Sequence, residues 1–365
     1  MVKKVAVVAD VMMEYGGAEK VTETMLKIFS KADLYTLFIV PAARKRLEKE
    51  FPGIKIRTSI FQKFIYGNKV SKYISIIKLF SWIYWELLDL KKYDLIISSS
   101  HSFMSKNVLR GKNAFHLAYV HTPPRFLYKE FCEIGIIRKF PLNIILWPIM
   151  EILRWIDRRG STRPDVMAVN SDNVRGRVKK YYGREPVVVY PSVEVGPIGM
   201  VKKRDYFVSL SRLVKQKGID LAVKVCGKNN IPLVVLGNGG EINSLKSMSG
   251  RMIDFVEGCS DEKKFEVIKR ARALIYTPIE EDFGIVPVEA LKMGVPVITY
   301  NSGGVSETVI DGKNGVLFDN FTEVSLLAAI KRFQKMSFSR DECVKSVQKF
   351  SFLNFKKQIM SLIPT

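Results

Sequence analysis

Short, uninterrupted apolar runs alternate with helical segments along almost the entire chain, and this alternation restricts the fold more than any other feature. Uninterrupted runs are typical of parallel strands that helices cover on both faces. A helix between successive strands is also the connection that parallel strands need. The sequence therefore predicts an α/β fold. The predicted strands are Val5–Ala9, Leu34–Val40, Tyr93–Ser100, Phe115–His121, Val166–Ser171, Val187–Tyr190, Tyr206–Leu210, Leu233–Leu236, Ile253–Val256, Ala273–Tyr276, Val295–Thr299 and Gly315–Phe318.

The strand and helix pattern stops near residue 190 and starts again after a stretch that contains Pro and Gly and has no hydrophobic period. A chain of 365 residues also exceeds what one core usually supports. We therefore predict a first domain over 1–190, a linker over 191–203, a second domain over 204–349, and a C-terminal helix over 350–365 that could pack back on either domain. Two doubly wound domains can face each other across a cleft at the carboxyl ends of their strands, where such folds bind ligands.

The net charge of +22 is concentrated in the first part of the chain, where residues 1–190 hold 33 Lys and Arg against 17 Asp and Glu. Such a balance attracts nucleic acid, anionic lipid or phosphorylated substrates, although lysines can also simply coat a surface. We find no nucleic-acid-binding motif and expect no nucleic acid as a partner. Two aromatic, apolar segments bordered by charge, 73–90 and 140–156, favour an anionic membrane surface instead.

The cysteines and the apolar runs bear on the compartment. Four scattered cysteines without a CxxC pair predict neither a zinc site nor a disulfide framework, and they suit reduced thiols. The apolar run at the N-terminus is too short for a signal peptide, and no window of about 20 apolar residues predicts a membrane span. We expect a cytoplasmic protein, peripheral at the inner face of the membrane.

The motif richest in chemistry is EDFGIVPVE, from Glu281 to Glu289, which follows a predicted strand and opens a helix. Glu281 should lie in the loop and Glu289 inside the helix. Amides at a helix N-terminus bind phosphate, and a buried carboxylate can accept hydrogen bonds from two adjacent sugar hydroxyls. The alternative is one capping acid and one solvated acid.

Two further motifs follow other strands of the second half. Arg212 and Lys217 precede a glycine and a helix, and their charges suit a diphosphate that departs during a reaction. Gly303 and Gly304 allow close backbone approach to a ligand. Taken singly, the first motif could be two surface cations and the second an ordinary turn.

In the first half, Gly16 and Gly17 follow a strand and open a helix, which suits a loop that faces phosphate or sugar, or simply a helix start. His121 ends a strand and precedes two prolines, so it should lie in a rigid, outward loop. It could hold a sugar hydroxyl or have a structural role. The sequence contains no Asp-X-Asp string and no spacing typical of metal ligands, so we expect no metal and no other cofactor.

These strings together resemble glycosyltransferase family 4, a large retaining family with the GT-B fold, over nearly the whole chain. The most specific match is the Glu-x7-Glu pattern from Glu281 to Glu289, and HTPPRFLY, from His121 to Tyr128, is similar to a mannosyltransferase subgroup. The resemblance implies two Rossmann-like domains that face each other across a cleft. It also implies metal-independent transfer of a hexose, mannose by preference, from a nucleotide diphosphate sugar, GDP-mannose before others, to a glycan or lipid-linked acceptor.

The resemblance implies a role for each motif. Arg212 and Lys217 would hold the diphosphate and Glu289 the ribose hydroxyls. Glu281 would contact the transferred sugar, and His121 would lie near its anomeric carbon. The residues implied in donor binding are Gly16, Gly17, Arg212, Lys217, Phe283, Gly284, Ile285, Val286, Glu289, Gly303 and Gly304, and those implied in catalysis are His121, Glu281, Arg212 and Lys217.

Three other functions remain open from the sequence. A UDP-sugar-dependent transferase would use the same motifs. A nucleotide-sugar epimerase shares the architecture but lacks this Glu-x7-Glu pattern. A basic nucleic-acid-binding protein would account for the charge alone.

Overall fold

The computed structural model describes residues 4–13, 16–66, 69–70, 74–128, 142–196 and 205–364. The chain divides into two compact units. The first unit comprises the residues up to Ser192 together with those from Phe355 onward, and the second comprises Val193–Asn354. The linker predicted over 191–203 lies partly outside the described residues, because 197–203 belong to an undescribed stretch.

The first unit is built on a parallel sheet. Within the described residues its strands are β1 (Val5–Ala9), β2 (Asp33–Thr36), β3 (Ile56–Thr58), β4 (Ile65–Tyr66), β5 (Lys69–Val70), β6 (Leu95–Ser100), β7 (Phe115–Val120), β8 (Val166–Val169) and β9 (Val187–Val188). Seven of them form the sheet in the order β3-β2-β1-β6-β7-β8-β9, and β4 pairs with β5. Its helices are α1 (Gly17–Ile28), α2 (Pro41–Glu50), α3 (Ile74–Leu87), α4 (Leu142–Ser161) and α5 (Asp172–Tyr182).

Both faces of this sheet are covered, as the uninterrupted apolar runs predict. In β1, Ala6 and Val8 belong to one apolar core, whereas Val7 and Ala9 belong to the other. Successive side chains of a strand point to opposite faces, so a strand between two cores must be apolar at every position.

The second unit repeats the same plan. Its strands are β10 (Phe207–Leu210), β11 (Leu233–Leu236), β12 (Ile253–Val256), β13 (Leu274–Tyr276), β14 (Val297–Tyr300) and β15 (Gly315–Phe318), paired in parallel in the order β12-β11-β10-β13-β14-β15. Its helices are α6 (Ile219–Lys228), α7 (Ile242–Met248), α8 (Asp261–Arg270), α9 (Ile285–Lys292), α10 (Glu323–Gln334) and α11 (Arg340–Ser346). Both units are therefore doubly wound α/β folds, as predicted.

A last helix, α12 (Phe352–Ser361), brings the end of the chain back to the first unit. Phe355 and Ile359 are buried in one of the two cores of that unit. The ring of Phe355 lies 5.9 Å from that of Tyr119 in β7. The sequence left open which domain this helix contacts, and its buried face packs on the first.

The aromatic segments of the first unit form α3 and α4, and a buried ion pair anchors α4. Asp157 of α4 binds the ammonium of Lys106 and accepts a hydrogen bond of 2.7 Å from the hydroxyl of Tyr128. Both charged side chains are almost completely buried. At Gly160 a Cβ would lie 1.9 Å from the side-chain oxygen of Asn107, so glycine permits this close approach. Among the helices that the structure describes, none has the length and apolar character needed to cross a membrane.

Four predicted strands, Val5–Ala9, Leu233–Leu236, Ile253–Val256 and Gly315–Phe318, are confirmed at both ends. The strand predicted over Leu34–Val40 is wrong beyond Thr36, where β2 ends. Residues 37–40 stay buried, but most of them run outside the sheet. An apolar run indicates that a segment is buried, but it does not distinguish a buried strand from a buried loop.

Candidate active site

Three loops of the second unit leave the neighbouring strands β10, β13 and β14 at their carboxyl ends. The first loop carries Lys217, the second carries Glu281, and the third carries Gly303 and Gly304. Neighbouring parallel strands present their carboxyl ends at one edge of the sheet. The three motifs that the sequence singled out therefore meet at this edge.

The first two motifs meet through an ion pair. The Nζ atom of Lys217 lies 2.6 Å from Oε2 of Glu281, across 64 residues of sequence. Each side chain is about one fifth exposed, so solvent screens the pair less than it screens a surface pair. Gly218, with a φ of 60°, follows Lys217 and begins α6. The hydroxyl of Thr277 donates to the carbonyl of Lys217 at 3.3 Å, which fixes the backbone there.

The third motif packs directly on the backbone of the second. Glu281 and Gly303 form a parallel bridge, and the amide of Gly304 donates to the carbonyl of Glu281 at 2.8 Å. A Cβ on Gly303 would lie 2.3 Å from that same carbonyl oxygen, and φ at Gly303 is 68°. Both the space and the backbone conformation require glycine. The paired glycines therefore hold the Glu281 loop against β14.

Glu289 lies within α9 and is almost completely buried, whereas Glu281 lies in the loop before that helix, as predicted. Gly284, with a φ of 87°, precedes α9, so the amides of Ile285 and Val286 belong to its first turn. These amides lack partners within the helix and are suited to bind an anion. Phe283 is buried and packs edge to face on Phe350.

Tyr276, the last residue of β13, is a site residue that was not predicted from the sequence. Its hydroxyl forms a hydrogen bond with Glu281. Burial raises the pKa of Tyr276 well above its usual value, and the charge of Glu281 and this hydrogen bond raise it further. The phenol therefore remains a neutral donor that helps to orient the carboxylate. The hydroxyl of a buried tyrosine usually has a hydrogen-bond partner. The position of Tyr276 at the end of a buried strand could therefore have indicated a polar neighbour at this edge.

Arg212 lies in the same loop as Lys217 and is exposed. Its contact with a diphosphate stays a prediction. In the part of the chain that the structure describes, no three His, Cys, Asp or Glu side chains converge as metal ligands would.

In the first unit, His121 directly follows β7 and is buried at the sheet edge. Its Nε2 atom lies 2.8 Å from the hydroxyl of Ser99 at the end of β6, and that hydroxyl accepts a hydrogen bond of 3.1 Å from Thr22 of α1. Gly16 and Gly17 begin the same helix. The first unit thus brings His121 and the helix of the glycine pair together through Ser99 and Thr22, neither of which the sequence analysis named.

The other histidines have structural surroundings. Burial and the nearby Arg110 lower the pKa of His116 to about 3, so this residue is neutral. His101 lies after β6, where the buried carboxylate of Asp10 accepts hydrogen bonds from the amides of His101, Phe103 and Ser105. Asp10 directly follows the apolar strand β1. A carboxylate at that position could have been predicted to anchor a neighbouring loop. The roles of His121 and of a cleft between the domains stay predictions.

Comparison with known proteins gives the site its context. Residues 15–196 match the family described as Glycosyltransferase Family 4, and residues 194–350 match the family described as Glycosyl transferases group 1. The chain belongs to glycosyltransferase family 4. The family assignment makes the protein a glycosyltransferase and favours this function over an epimerase or a nucleic-acid-binding protein.

Several relatives carry mannosyltransferase names. The alpha-1,3/1,6-mannosyltransferase ALG2 of Saccharomyces cerevisiae is 22% identical over 357 residues, which span 80% of this family 4 chain and 69% of the relative. The protein of the same name from Mus musculus is 24% identical over 342 residues, spanning 81% and 79%. The crystal structure of Anabaena Alr3699/HepE in complex with UDP and glucose superimposes with a TM-score of 0.69 at 17% identity, over 99% of each chain. This likeness confirms the GT-B fold.

Proposed function

We propose that this glycosyltransferase moves mannose from a nucleotide diphosphate sugar, GDP-mannose before UDP-sugars, to a glycan or lipid-linked acceptor, with retention of configuration and without a metal ion. The observation that carries the proposal is the 2.6 Å contact between Lys217 and Glu281 beside the glycine pair and the start of α9. One edge thereby offers a cation for phosphate, a carboxylate for sugar hydroxyls and amides for an anion.

The chemistry follows from these charges. Transfer breaks the bond between the anomeric carbon and the diphosphate oxygen, so negative charge builds on the leaving diphosphate. Lys217 would stabilise that charge in the transition state more than in the ground state, which is the requirement for catalysis. Glu281 would accept hydrogen bonds from the transferred sugar. The acceptor oxygen would form the new bond to the anomeric carbon on the face that the diphosphate leaves, which retains the configuration, and the departing diphosphate would take the proton of the acceptor hydroxyl.

The choice of mannose rests on two sequence likenesses. The relatives named above are mannosyltransferases, and the HTPPRFLY string that begins at His121 is similar to that subgroup. The complex of Alr3699/HepE with UDP keeps UDP-sugars as the second candidate. For His121 we propose contact with the transferred sugar, and for Gly16 and Gly17 a place beside the donor phosphates and the acceptor.

A donor screen tests the proposal. GDP-mannose should raise the melting temperature and support transfer or slow hydrolysis, because a ligand that binds only the folded state stabilises it, by roughly 2.7 kcal/mol at a hundred times its Kd. UDP-glucose and ADP-glucose should give smaller shifts at equal concentration. A shift with UDP-sugars and none with GDP-mannose would reverse the order of donors, and no shift with any sugar nucleotide would contradict the proposed function.

We also propose that the first unit binds the cytoplasmic face of an anionic membrane. The outward stripe of α4 carries the exposed side chains of Trp147, Ile152 and Trp155, although its opposite face is already buried in the core. Arg159 follows at the end of the helix, 5.5 Å from the ring of Trp155. Aromatic side chains with adjacent arginines suit the interface of an anionic bilayer.

Helix α3 has the same pattern, with exposed Phe80, Ile83 and Leu87 at the spacing of one helix face. An ion pair of 2.7 Å between Glu86 of α3 and Arg163, just beyond α4, joins the two helices. The two apolar stripes thus belong to neighbouring helices, and the surrounding charge of the first part of the chain is positive. A lipid-linked acceptor would reach the enzyme at such a surface.

Vesicle flotation tests the membrane proposal with a double substitution, Ile152→Ser with Trp155→Ser. Full burial of one such side chain contributes roughly 1.5–3 kcal/mol, so the loss of both should weaken binding to phosphatidylglycerol vesicles about tenfold or more. Binding should also fall as salt rises. The control is Val324→Ser in α10 of the second unit, an apolar residue that is even more exposed than Ile152 and Trp155. Absence of binding at low salt, or tighter binding to an oligonucleotide, would contradict the proposal.

A further inference from the structure

We infer that Lys264 is a positioning residue that holds the carboxylate of Glu289 toward the donor ribose and so determines how well the enzyme distinguishes ribose from 2′-deoxyribose. The inference rests on the proposed function, which assigns the ribose hydroxyls to Glu289. Lys264 belongs to α8, a different element from α9, and neither the motif spacing nor the family match points to it.

The first observation is the burial of Glu289. Its side chain is only 2% exposed, in the interior of α9. A carboxylate removed from water needs a cation or hydrogen-bond donors nearby. Lys264 supplies a cation, because its Nζ atom lies 3.6 Å from Oε1 of Glu289.

The second observation is that Lys264 is itself held in place. Its side chain is 12% exposed, and its Nζ atom lies 2.9 Å from a carboxylate oxygen of Asp261, one turn earlier in α8. The same atom lies 4.4 Å from the centre of the Phe265 ring. A surface lysine samples many rotamers, whereas these contacts fix the ammonium. A fixed cation can impose a direction on the carboxylate that it faces.

The third observation is the length of the contact. The ammonium of Lys264 lies 3.6 Å from the carboxylate of Glu289. This distance is longer than a hydrogen bond but short enough for electrostatic attraction. A carboxylate can accept hydrogen bonds at about four positions. The attraction therefore orients Glu289 without taking an acceptor position by a hydrogen bond of its own, and two adjacent ribose hydroxyls can use that orientation.

The consequence concerns the 2′-hydroxyl. A site built to accept a hydrogen bond from a hydroxyl discriminates against the analogue that lacks it, and hydrogen bonds to charged groups are the stronger ones. GDP should therefore bind roughly tenfold or more tightly than 2′-deoxy-GDP. If Lys264 directs the carboxylate, loss of its charge should reduce this ratio even though Glu289 is still present.

The test measures the Kd values of GDP and 2′-deoxy-GDP by calorimetry on the full chain, with UDP and 2′-deoxy-UDP in parallel. The variants are Lys264→Met, which keeps the stem without the charge, Lys264→Arg, which keeps the charge, and Glu289→Gln. The control is Lys263→Met, because Lys263 is 57% exposed and pairs with Glu266 on the surface. Each ratio is internal to one folded variant, so a change in stability does not imitate the effect.

We expect Glu289→Gln and Lys264→Met to reduce the ratio to about threefold or less, whereas Lys264→Arg and Lys263→Met keep most of it. A full ratio in Lys264→Met, beside a lost ratio in Glu289→Gln, would overturn the inference and leave the proposed function intact. Equal weakening of both nucleotides by Lys264→Met would overturn it too, since Lys264 would then act elsewhere on the nucleotide. A full ratio in Glu289→Gln, or no binding of either pair, would remove the ribose assignment and the inference together. If Lys264→Met does not fold, the ratio in Lys264→Gln decides in the same way.

Discussion

Substitution of Lys217 by alanine should lower kcat by about a hundredfold or more. The loss of one donor aimed at developing negative charge costs an enzyme on that order. Lys217 should have this effect because it lies at the meeting point of three loops, with its ammonium 2.6 Å from Glu281. If no metal ion takes part, as proposed, the cations of the Arg212 and Lys217 loop neutralise the leaving diphosphate. Steady-state transfer with saturating donor measures the effect.

Two controls make this result specific. Lys215→Ala removes an exposed cation from the 3-10 turn Lys215–Lys217 and should leave kcat within about twofold. Excess EDTA should leave the activity of the parent protein unchanged. Near-parent kcat in Lys217→Ala, or activity that EDTA abolishes and manganese restores, would show that charge on the diphosphate is neutralised in another way.

The substitution Asp157→Asn should lower the free energy of unfolding of the first unit by about 3–5 kcal/mol. Removal of one partner from a buried ion pair leaves the other charge without compensation, and losses of this size follow. Here the ammonium of Lys106 would remain buried, and the hydroxyl of Tyr128 would lose its anionic acceptor. The effect should concentrate in the first unit, because the pair lies entirely within it.

Tryptophan fluorescence during urea unfolding isolates this effect, since all four tryptophans of the chain, at positions 82, 85, 147 and 155, lie in the first unit. Glu48→Gln serves as the matched control, because Glu48 pairs with Arg44 at the surface of the same unit and such pairs contribute about 0–1 kcal/mol. The double change Lys106→Met with Asp157→Leu should recover most of the loss, since an apolar replacement leaves no buried charge. Equal losses for Asp157→Asn and Glu48→Gln would show that burial of the pair does not set the size of the effect.

The sequence indicated that Lys217 and Glu281 each follow a buried strand, and parallel strands end at one edge. It did not predict that the two side chains form an ion pair across 64 residues. It could not predict Lys264 or Tyr276 as neighbours of the two glutamates. Helix α8 reads as a charged surface helix, and only its packing brings Lys264 close to Glu289. Contacts of this kind depend on side-chain directions between elements, and no spacing within one element encodes them.

The first unit shows the same division. His121 was predicted to end an apolar strand, and the structure places it directly after β7. The outward position predicted from its two prolines is wrong, because the side chain is buried. The hydroxyl of Ser99 contacts the His121 ring, and Thr22 donates a hydrogen bond to Ser99. Both are small polar residues inside buried elements, and no sequence motif marks them as partners of a histidine. The strand prediction was wrong for residues 37–40, because the apolar run continues there although β2 ends at Thr36. Burial is therefore easier to predict than pairing.

The return of α12 to the first unit has a consequence for synthesis on the ribosome. Phe355 and Ile359 complete a core whose other residues come from the first part of the chain, and residues 193–354 emerge between them. Translation proceeds at about 5–20 residues per second, so the first unit must wait roughly ten seconds or more with this core incomplete. The second unit is continuous in sequence, so its core needs no residue beyond 354. A chain that ends at residue 354 and is released from the ribosome should therefore contain a protease-resistant second unit beside a more sensitive first one.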